Sequence, residues 1–174
     1  MSFLKQLHLG SWFQFITGRR LAPYVPTPQH VCERLMDLAA VSKGDCVHDV
    51  GAGDGRMLVT AALRGARGVG YELDAELFLA AEKNIANAGV SHAVTVRLQD
   101  ALTATYEDAD VVTLYLSDHG NSAVLPILQS ATRARALRGL PGARVVTFYF
   151  PLSDATPVRT AKVNGIPLYL YQMQ

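Results

Sequence analysis

A glycine-rich pentapeptide, Gly51-Ala52-Gly53-Asp54-Gly55, follows the short apolar run Cys46-Val47-His48-Asp49-Val50 and leads into a helix-like run through Leu58 to Leu63. Strand, glycine turn and helix form the opening unit of an open α/β sheet, and such sheets bind ligands at that turn. Glycines there let the backbone approach a bound molecule closely and adopt torsions that other residues resist. The chain keeps this rhythm. Gly68-Val69-Gly70-Tyr71-Glu72 reads as a second strand, and Asp74 caps a helix that aligns Leu77, Ala81, Ile85 and Ala88 before Gly89 stops it. Val94 to Leu98 alternates as a third strand, and Asp110 to Leu116 forms a fourth. A helix from about Asn121 to Leu137 ends at Gly139, and Arg144 to Phe150 forms a fifth strand. Strands alternating with helices imply βαβ units and a mostly parallel sheet. The final stretch departs from the pattern. Arg159 to Val163, Asn164-Gly165 and Ile166 to Met173 read as two strands joined by a two-residue type I′ turn. The expected fold is thus α/β, with a mostly parallel sheet ending in an antiparallel β-hairpin.

A chain of 174 residues suits one domain, assigned here to residues 23–174 and preceded by a distinct segment, residues 1–22. With 49% hydrophobic and 18% charged residues the chain has enough apolar content for a core and is not disordered. A net charge of +1 argues against a dedicated nucleic-acid binder, and no apolar run reaches the ~18 residues of a membrane span. Cys32, Cys46 and the five histidines show no metal-ligand spacing, so no metal is expected and the thiols read as buried and reduced. Met1 to Cys32 contains no Asp or Glu, and Leu9, Trp12, Phe13 and Ile16 share one helical face beside Lys5, Arg19 and Arg20. Such a start suits a targeting segment or a membrane-surface helix, and equally an ordinary helix packed on the domain. Farther on, Thr27 followed by Pro28 reads as an N-cap with proline at the first helical position.

Two ligand classes use a glycine loop of this kind: dinucleotides and S-adenosylmethionine. Three details favour the second. The spacing is Gly-x-Gly-x-Gly, not the dinucleotide Gly-x-Gly-x-x-Gly. Asp54 stands at the helix start, where a carboxylate would repel a pyrophosphate. Asp49 lies two residues before Gly51, placed to meet the ammonium of the donor's methionine part, directly or through water. Glu72, 21 positions after Gly51, can accept hydrogen bonds from both ribose hydroxyls. Asp100, with Ala101 beside it, is placed to accept from the adenine amino group. Each acid alone reads equally well as a cap or a solvated loop charge. Acids closing three successive strands, together with Gly51, Ala52 and Gly53, make the donor site the stronger reading.

Asp49-Val50-Gly51-Ala52-Gly53-Asp54-Gly55 resembles motif I of the class I S-adenosylmethionine-dependent methyltransferases, and Val69-Gly70-Tyr71-Glu72 the acidic motif after it. Tyr24-Val25-Pro26-Thr27-Pro28, Asp54-Gly55-Arg56, the run Asp110 to Leu116 and the terminal Leu168-Tyr169-Leu170-Tyr171 are together similar to a small protein-lysine methyltransferase family. That family includes archaeal broad-specificity enzymes and mitochondrial enzymes acting on the ATP synthase c-subunit and the adenine nucleotide translocase. The resemblance spans about Pro23 to Met173 and implies a Rossmann-like class I methyltransferase fold. It also implies S-adenosylmethionine as donor, a protein partner presenting a lysine, no nucleic-acid partner, and mitochondrial placement with a cytoplasmic alternative. The chain departs from the family in a short rim, Pro151 to Pro157, and in a start shorter than the mitochondrial members' anchoring extension.

A lysine nucleophile must lose its proton, from a reference pKa near 10.4, before in-line attack on the donor methyl. Thr113-Leu114-Tyr115-Leu116 occupies the place where many amino-methyltransferases carry an Asn or Asp, Pro, Pro, aromatic motif, which counts against adenine and glutamine acceptors. The resemblance implies that Tyr115 faces the methyl-transfer site, where it otherwise reads as a strand tyrosine packed in the sheet, and Tyr24, with Pro26 and Thr27, reads as a lid over the donor or as a simple helix-entry turn. His119 at the rim could act as a base or simply face solvent, and Arg133, Arg135 and Arg138 read as a solvated helix face. Tyr149 and Phe150 could flank the lysine or fill core space. Methylation of RNA or of a small molecule, and a NAD-binding or silent module on the same fold, are the competing readings.

Overall fold

The computed structural model describes residues 21, 22 and 24–174, so the amphipathic-start expectation for residues 1–22 lies almost wholly outside the described residues. The elements in chain order are α1 (Gln29–Leu38), β1 (Cys46–Val50), α2 (Arg56–Ala62), β2 (Arg67–Glu72), α3 (Ala75–Asn87) and β3 (Val94–Leu98). A short 3₁₀ turn (Ala101–Thr103) precedes β4 (Val111–Leu114), α4 (Asp118–Leu137), β5 (Arg144–Phe148), β6 (Arg159–Val163) and β7 (Ile166–Gln172). The seven strands form one sheet in the order β3-β2-β1-β4-β5-β7-β6. The pairings from β3 through β5 are parallel, and both pairings of β7 are antiparallel. The expected parallel sheet with a closing hairpin is what the chain forms. Asn164 and Gly165 have φ of 52° and 81°, the two positive torsions a type I′ turn requires.

β1 lies between β2 and β4, so the strand order reverses there and a crevice opens at the carboxyl ends of those strands. One sheet face, carrying Val47, Val111, Val146, Phe148, Leu168 and Leu170, packs against Val31, Leu35 and Met36 of α1. The other, carrying Val112, Leu114, Val145 and Tyr171, packs against Val124, Leu125 and Leu128 of α4. Full burial of each such side chain stabilises the fold by roughly 1.5–3 kcal/mol. Gly70 keeps β2 close to α2, because a Cβ there would come within 2.5 Å of Leu58 Cδ1.

Caps fix where the helices begin. Asp74 Oδ1 accepts from the backbone N–H of Glu76 and Leu77 at 2.8 and 3.1 Å, the expected cap of α3. Ser117 Oγ accepts from Gly120 N at 3.1 Å, so α4 starts at Asp118, earlier than its apolar periodicity indicated. Thr27 is not an N-cap. Pro28 holds that position without a side-chain cap, and the Thr27 carbonyl instead accepts from Arg56 Nη1 at 2.8 Å. Nor is Arg135 part of a solvated face, although Arg133 and Arg138 are exposed. Its buried guanidinium donates to the carbonyls of Pro141 and Glu107 and pairs with Asp110 at 2.9 Å, tying α4 to the loops before β4 and β5. β5 ends at Phe148, two residues earlier than expected, because Tyr149 takes φ 72° and turns the chain.

Candidate active site

An open cleft of about 830 Å³, counting space open to solvent, lies over the carboxyl ends of β1 and β2. Every residue that the sequence nominated for donor binding lines it: Tyr24, Pro26, Thr27, Asp49, Gly51, Ala52, Gly53, Glu72, Asp100 and Ala101. Tyr115, the nominated methyl-transfer residue, lines it as well. Arg56, Met57, Leu77 and Gln99 join them without having been nominated. Arg56 stood in a quoted motif, but its role depends on a contact with Thr27, which no local pattern announces.

The glycine loop is shaped by what lies on it. Gly53 has φ 55°, and a Cβ there would sit 2.7 Å from Tyr24 Cε2, so the tyrosine ring rests on bare backbone. The Tyr24 hydroxyl is hydrogen-bonded to the Asp54 and Arg56 pair, and burial, with Asp54 adding to it, pushes its pKa up to about 12. Arg56 Nε is 2.8 Å from Asp54 Oδ1. Burial works against the Asp54 charge, yet the Arg56 hydrogen bonds and charge hold its carboxyl below the usual value. The repulsion of a pyrophosphate expected from Asp54 is therefore largely neutralised by Arg56, and that argument against a dinucleotide loses most of its weight.

Glu72 is a brace as well as a lining residue. Its Oε2 accepts from Gly53 N at 2.8 Å, and its Oε1 accepts from Leu73 N and Asp74 N at 2.8 and 2.9 Å. An ionised carboxylate offers about four acceptor sites, so three backbone bonds leave room for one more donor from the cleft. Asp100 Oδ1 caps the 3₁₀ turn through Leu102 N at 2.9 Å, using one of its two oxygens. Asp49 is buried, accepts from Thr113 Oγ1, and is pushed by burial from an ordinary 3.8 up to about 7, against the lowering effect of that hydrogen bond.

Tyr115 follows β4 directly, and its ring lies 4.6 Å from that of Phe148. Burial, with Tyr149 nearby, raises its pKa. His119 is exposed on the first turn of α4 and is not among the cleft residues. Among the described residues the charged lining comprises the carboxylates Asp49, Glu72 and Asp100 and the Asp54–Arg56 pair, whose charges offset each other. Such a lining favours a cationic occupant and disfavours phosphate.

At the start of β1, Cys46, His48 and Asp108 gather potential ligand atoms within 4.8 Å of one another. Arg67 lies 3.3 Å from the Asp108 carboxylate, and burial pushes the Cys46 thiol up to about 11, the setting of an ion-paired core edge. His48 Nε2 stands 3.1 Å from Asp108 Oδ1 without meeting hydrogen-bond geometry, while Nδ1 meets the Tyr71 hydroxyl at 3.2 Å. Burial lowers the pKa of this histidine, outweighing Asp108.

Residues 49–159 match the family described as the ANTKMT methyltransferase domain. The chain is 34% identical over 155 residues to a protein-lysine N-methyltransferase of Saccharolobus islandicus, covering 86% of this chain and 92% of that protein. It is 28% identical to the mouse ATP synthase c-subunit lysine N-methyltransferase over 87% of this chain, but spans only 58% of that longer protein. Among solved structures, an RNA methyltransferase from Salinibacter ruber in complex with S-adenosyl-L-homocysteine superposes with a TM-score of 0.78 at 39% identity, covering 86% of this chain and 94% of that one. By the extent of these matches, the chain belongs to the ANTKMT methyltransferase-domain family of S-adenosylmethionine-dependent enzymes.

Proposed function

We propose that this enzyme transfers methyl groups from S-adenosylmethionine to the side-chain amines of protein lysines. The observation that carries the reading is the cleft's charge: among the described lining residues the carboxylates Asp49, Glu72 and Asp100 pair with no cation, and the one guanidinium, Arg56, is spent on Asp54, at the strand-order reversal. Sulfonium, ammonium and the acceptor's own amine are all drawn to such a site. The bound donor supplies an electrophilic methyl. The lysine nitrogen forms the new N–C bond, and the C–S pair leaves with sulfur. Within this reading, Asp49 faces the donor's ammonium, Glu72 uses its remaining acceptor site on the ribose, and Asp100 with Ala101 borders the adenine. Gly51, Ala52 and Gly53 let the donor approach the backbone, and Tyr24, Pro26 and Thr27 cover it. Tyr115 closes the cleft at the methyl; partial desolvation there lowers the pKa of the incoming ammonium, whose proton leaves to bulk water before the amine is enclosed and attacks.

Incubating a proteome with tritiated donor and locating the label by digestion and mass spectrometry tests this directly. Label on lysine side chains is the expected result. Label in RNA that survives protease would replace the reading with the second one, which the Salinibacter ruber protein favours by its description. The acidic lining and the net charge of +1 weigh against RNA.

A protein partner follows from the relatives named as lysine methyltransferases. Mitochondrial placement, expected from the resemblance together with the acid-free start, draws support only from relatives such as the mouse ATP synthase c-subunit lysine N-methyltransferase, whereas the Saccharolobus islandicus relative favours the cytoplasmic alternative. Fractionation of the tagged full chain distinguishes the two. Membrane-surface association through residues 1–20 is tested by vesicle flotation of the same chain.

A further inference from the structure

Tyr149 is a non-glycine residue at φ 72°, directly after β5, with Phe150 N donating to Phe148 O at 2.9 Å across it. A bond between residues two apart around a positive torsion is a γ-turn of the rare, strained kind. Glycine would occupy the centre of that turn without strain, yet the chain places there a large aromatic whose surface is 52% exposed. The side chain is not filling the core, which removes one of the two roles open to it from sequence.

The surroundings hold the turn firmly. Tyr149 N donates to Pro167 O at 3.0 Å, joining the turn to β7. Asn121 Nδ2, buried on α4, donates to the carbonyls of Phe150 and Pro151 at 3.1 and 3.3 Å. Leu152 N donates to the Tyr171 hydroxyl at 3.0 Å. Strain maintained by this many contacts marks functional positions more often than accidents.

The turn lies beside the reaction centre without belonging to the donor cleft. Leu114 pairs with Thr147, and the next residues along the two strands, Tyr115 and Phe148, place their ring centroids 4.6 Å apart, which sets Tyr149 one residue beyond that contact. Tyr115 lines the cleft, whereas Tyr149 does not, although its proximity raises the Tyr115 pKa. Tyr149 also pairs with Phe150, ring centroids 4.7 Å apart at 59°. We propose that Tyr149 is an acceptor-contact residue: its exposed ring, held by the γ-turn beside Tyr115, receives the stem and ammonium of the incoming lysine. The inference rests on the lysine reading above. An aromatic face attracts an ammonium before methylation and a methylammonium after it, so it suits each successive acceptor.

The test uses the full chain with the tryptic lysine peptide labelled in the proteome experiment as acceptor. Tyr149→Gly removes the ring and relieves the torsion. It is expected to keep the melting temperature at or above wild type and to keep S-adenosylhomocysteine affinity within about twofold, while raising the acceptor KM about tenfold. Tyr149→Phe, which keeps the face and loses the hydroxyl, is expected to stay within about threefold of the wild-type KM. An unchanged acceptor KM in the glycine variant overturns the inference. Lost S-adenosylhomocysteine affinity or a lowered melting temperature in that variant does so too, by showing structural support instead of acceptor contact. Wild-type protein that labels no lysine at all would overturn the functional reading first, so the two failures are distinguishable.

Discussion

Asp49 carries the most informative single titration in the molecule. Burial raises its carboxyl from 3.8 to about 7, so the folded apo protein holds a proton that the unfolded chain has already released over much of that interval. The stabilisation from this group is complete below the unfolded value and is lost as pH rises towards 7, at up to about 1.4 kcal/mol per pH unit. Asp49→Asn should flatten that part of the stability profile, as pH-dependent melts would show. On the proposed assignment, a donor ammonium beside Asp49 lowers its pKa and expels the proton near neutral pH. Calorimetry in two buffers of different ionisation enthalpy should therefore find protons released on binding by wild type, and none from this source in Asp49→Asn. Glu72 needs a different substitution strategy. Glu72→Ala would leave the amides of Gly53, Leu73 and Asp74 without their acceptor, at about 1–3 kcal/mol for each that stays buried. Its loss of donor binding would then mix a removed contact with a collapsed loop. Glu72→Gln retains one carbonyl acceptor, and its affinity for S-adenosylhomocysteine, compared with its melting temperature, separates the two contributions.

The elements around the cleft work as fitted pairs. The segment bearing Tyr24 lies on the glycine loop because residue 53 has no Cβ, and Arg56 holds the same segment through Thr27 O. Gly53→Ala forces Tyr24 aside and strains a positive φ. It should weaken S-adenosylhomocysteine binding about tenfold or more in calorimetry, and adding Tyr24→Ala should recover only the steric part of that loss. Away from the cleft, α4 is fastened by Arg135. Arg135→Ala takes the donor from two carbonyls and from Asp110, which is partly exposed and keeps its bond from Cys46 N, and should lower stability by about 1–3 kcal/mol in denaturant melts while leaving donor affinity of the folded fraction unchanged. Such couplings explain the limits of local reading. Asn164-Gly165, Asp74 and the acids at strand ends were legible because their chemistry acts on their own backbone or on the edge where the strand stops. Arg135 and Thr27 were misread because a helix-face pattern and a Thr-Pro step describe local preference only. Apart from Pro141, six residues on from Arg135, their actual partners lie 25–29 residues away along the chain. The Tyr149 turn was invisible for a related reason: its torsion is imposed by β7 and α4, and no residue in its own neighbourhood requests it.

For the molecule as a whole, the strand order places one crevice where the acids converge, and the field in that crevice selects its occupants. Weakly basic overall, the chain concentrates negative charge in the cleft. Donor affinity and the acceptor KM should therefore both deteriorate as salt rises from about 50 to 500 mM, since exposed charges are screened over a few ångströms at the upper end. A single-stranded RNA probe should show no retention at about 150 mM salt in a filter-binding assay. Fold class and cleft composition were readable from sequence at this scale because both follow from strand order and from which residues close each strand. Less could be read about the rim after β5, where the segment is short and the Tyr149 turn is a matter of conformation. Finally, β7 enters the sheet between β5 and β6, although both were synthesised before it. On the ribosome, the β5 edge must wait uncovered until residues 166–172 emerge from the exit tunnel, so translation arrested before that point leaves an adhesive border open to a neighbouring nascent chain.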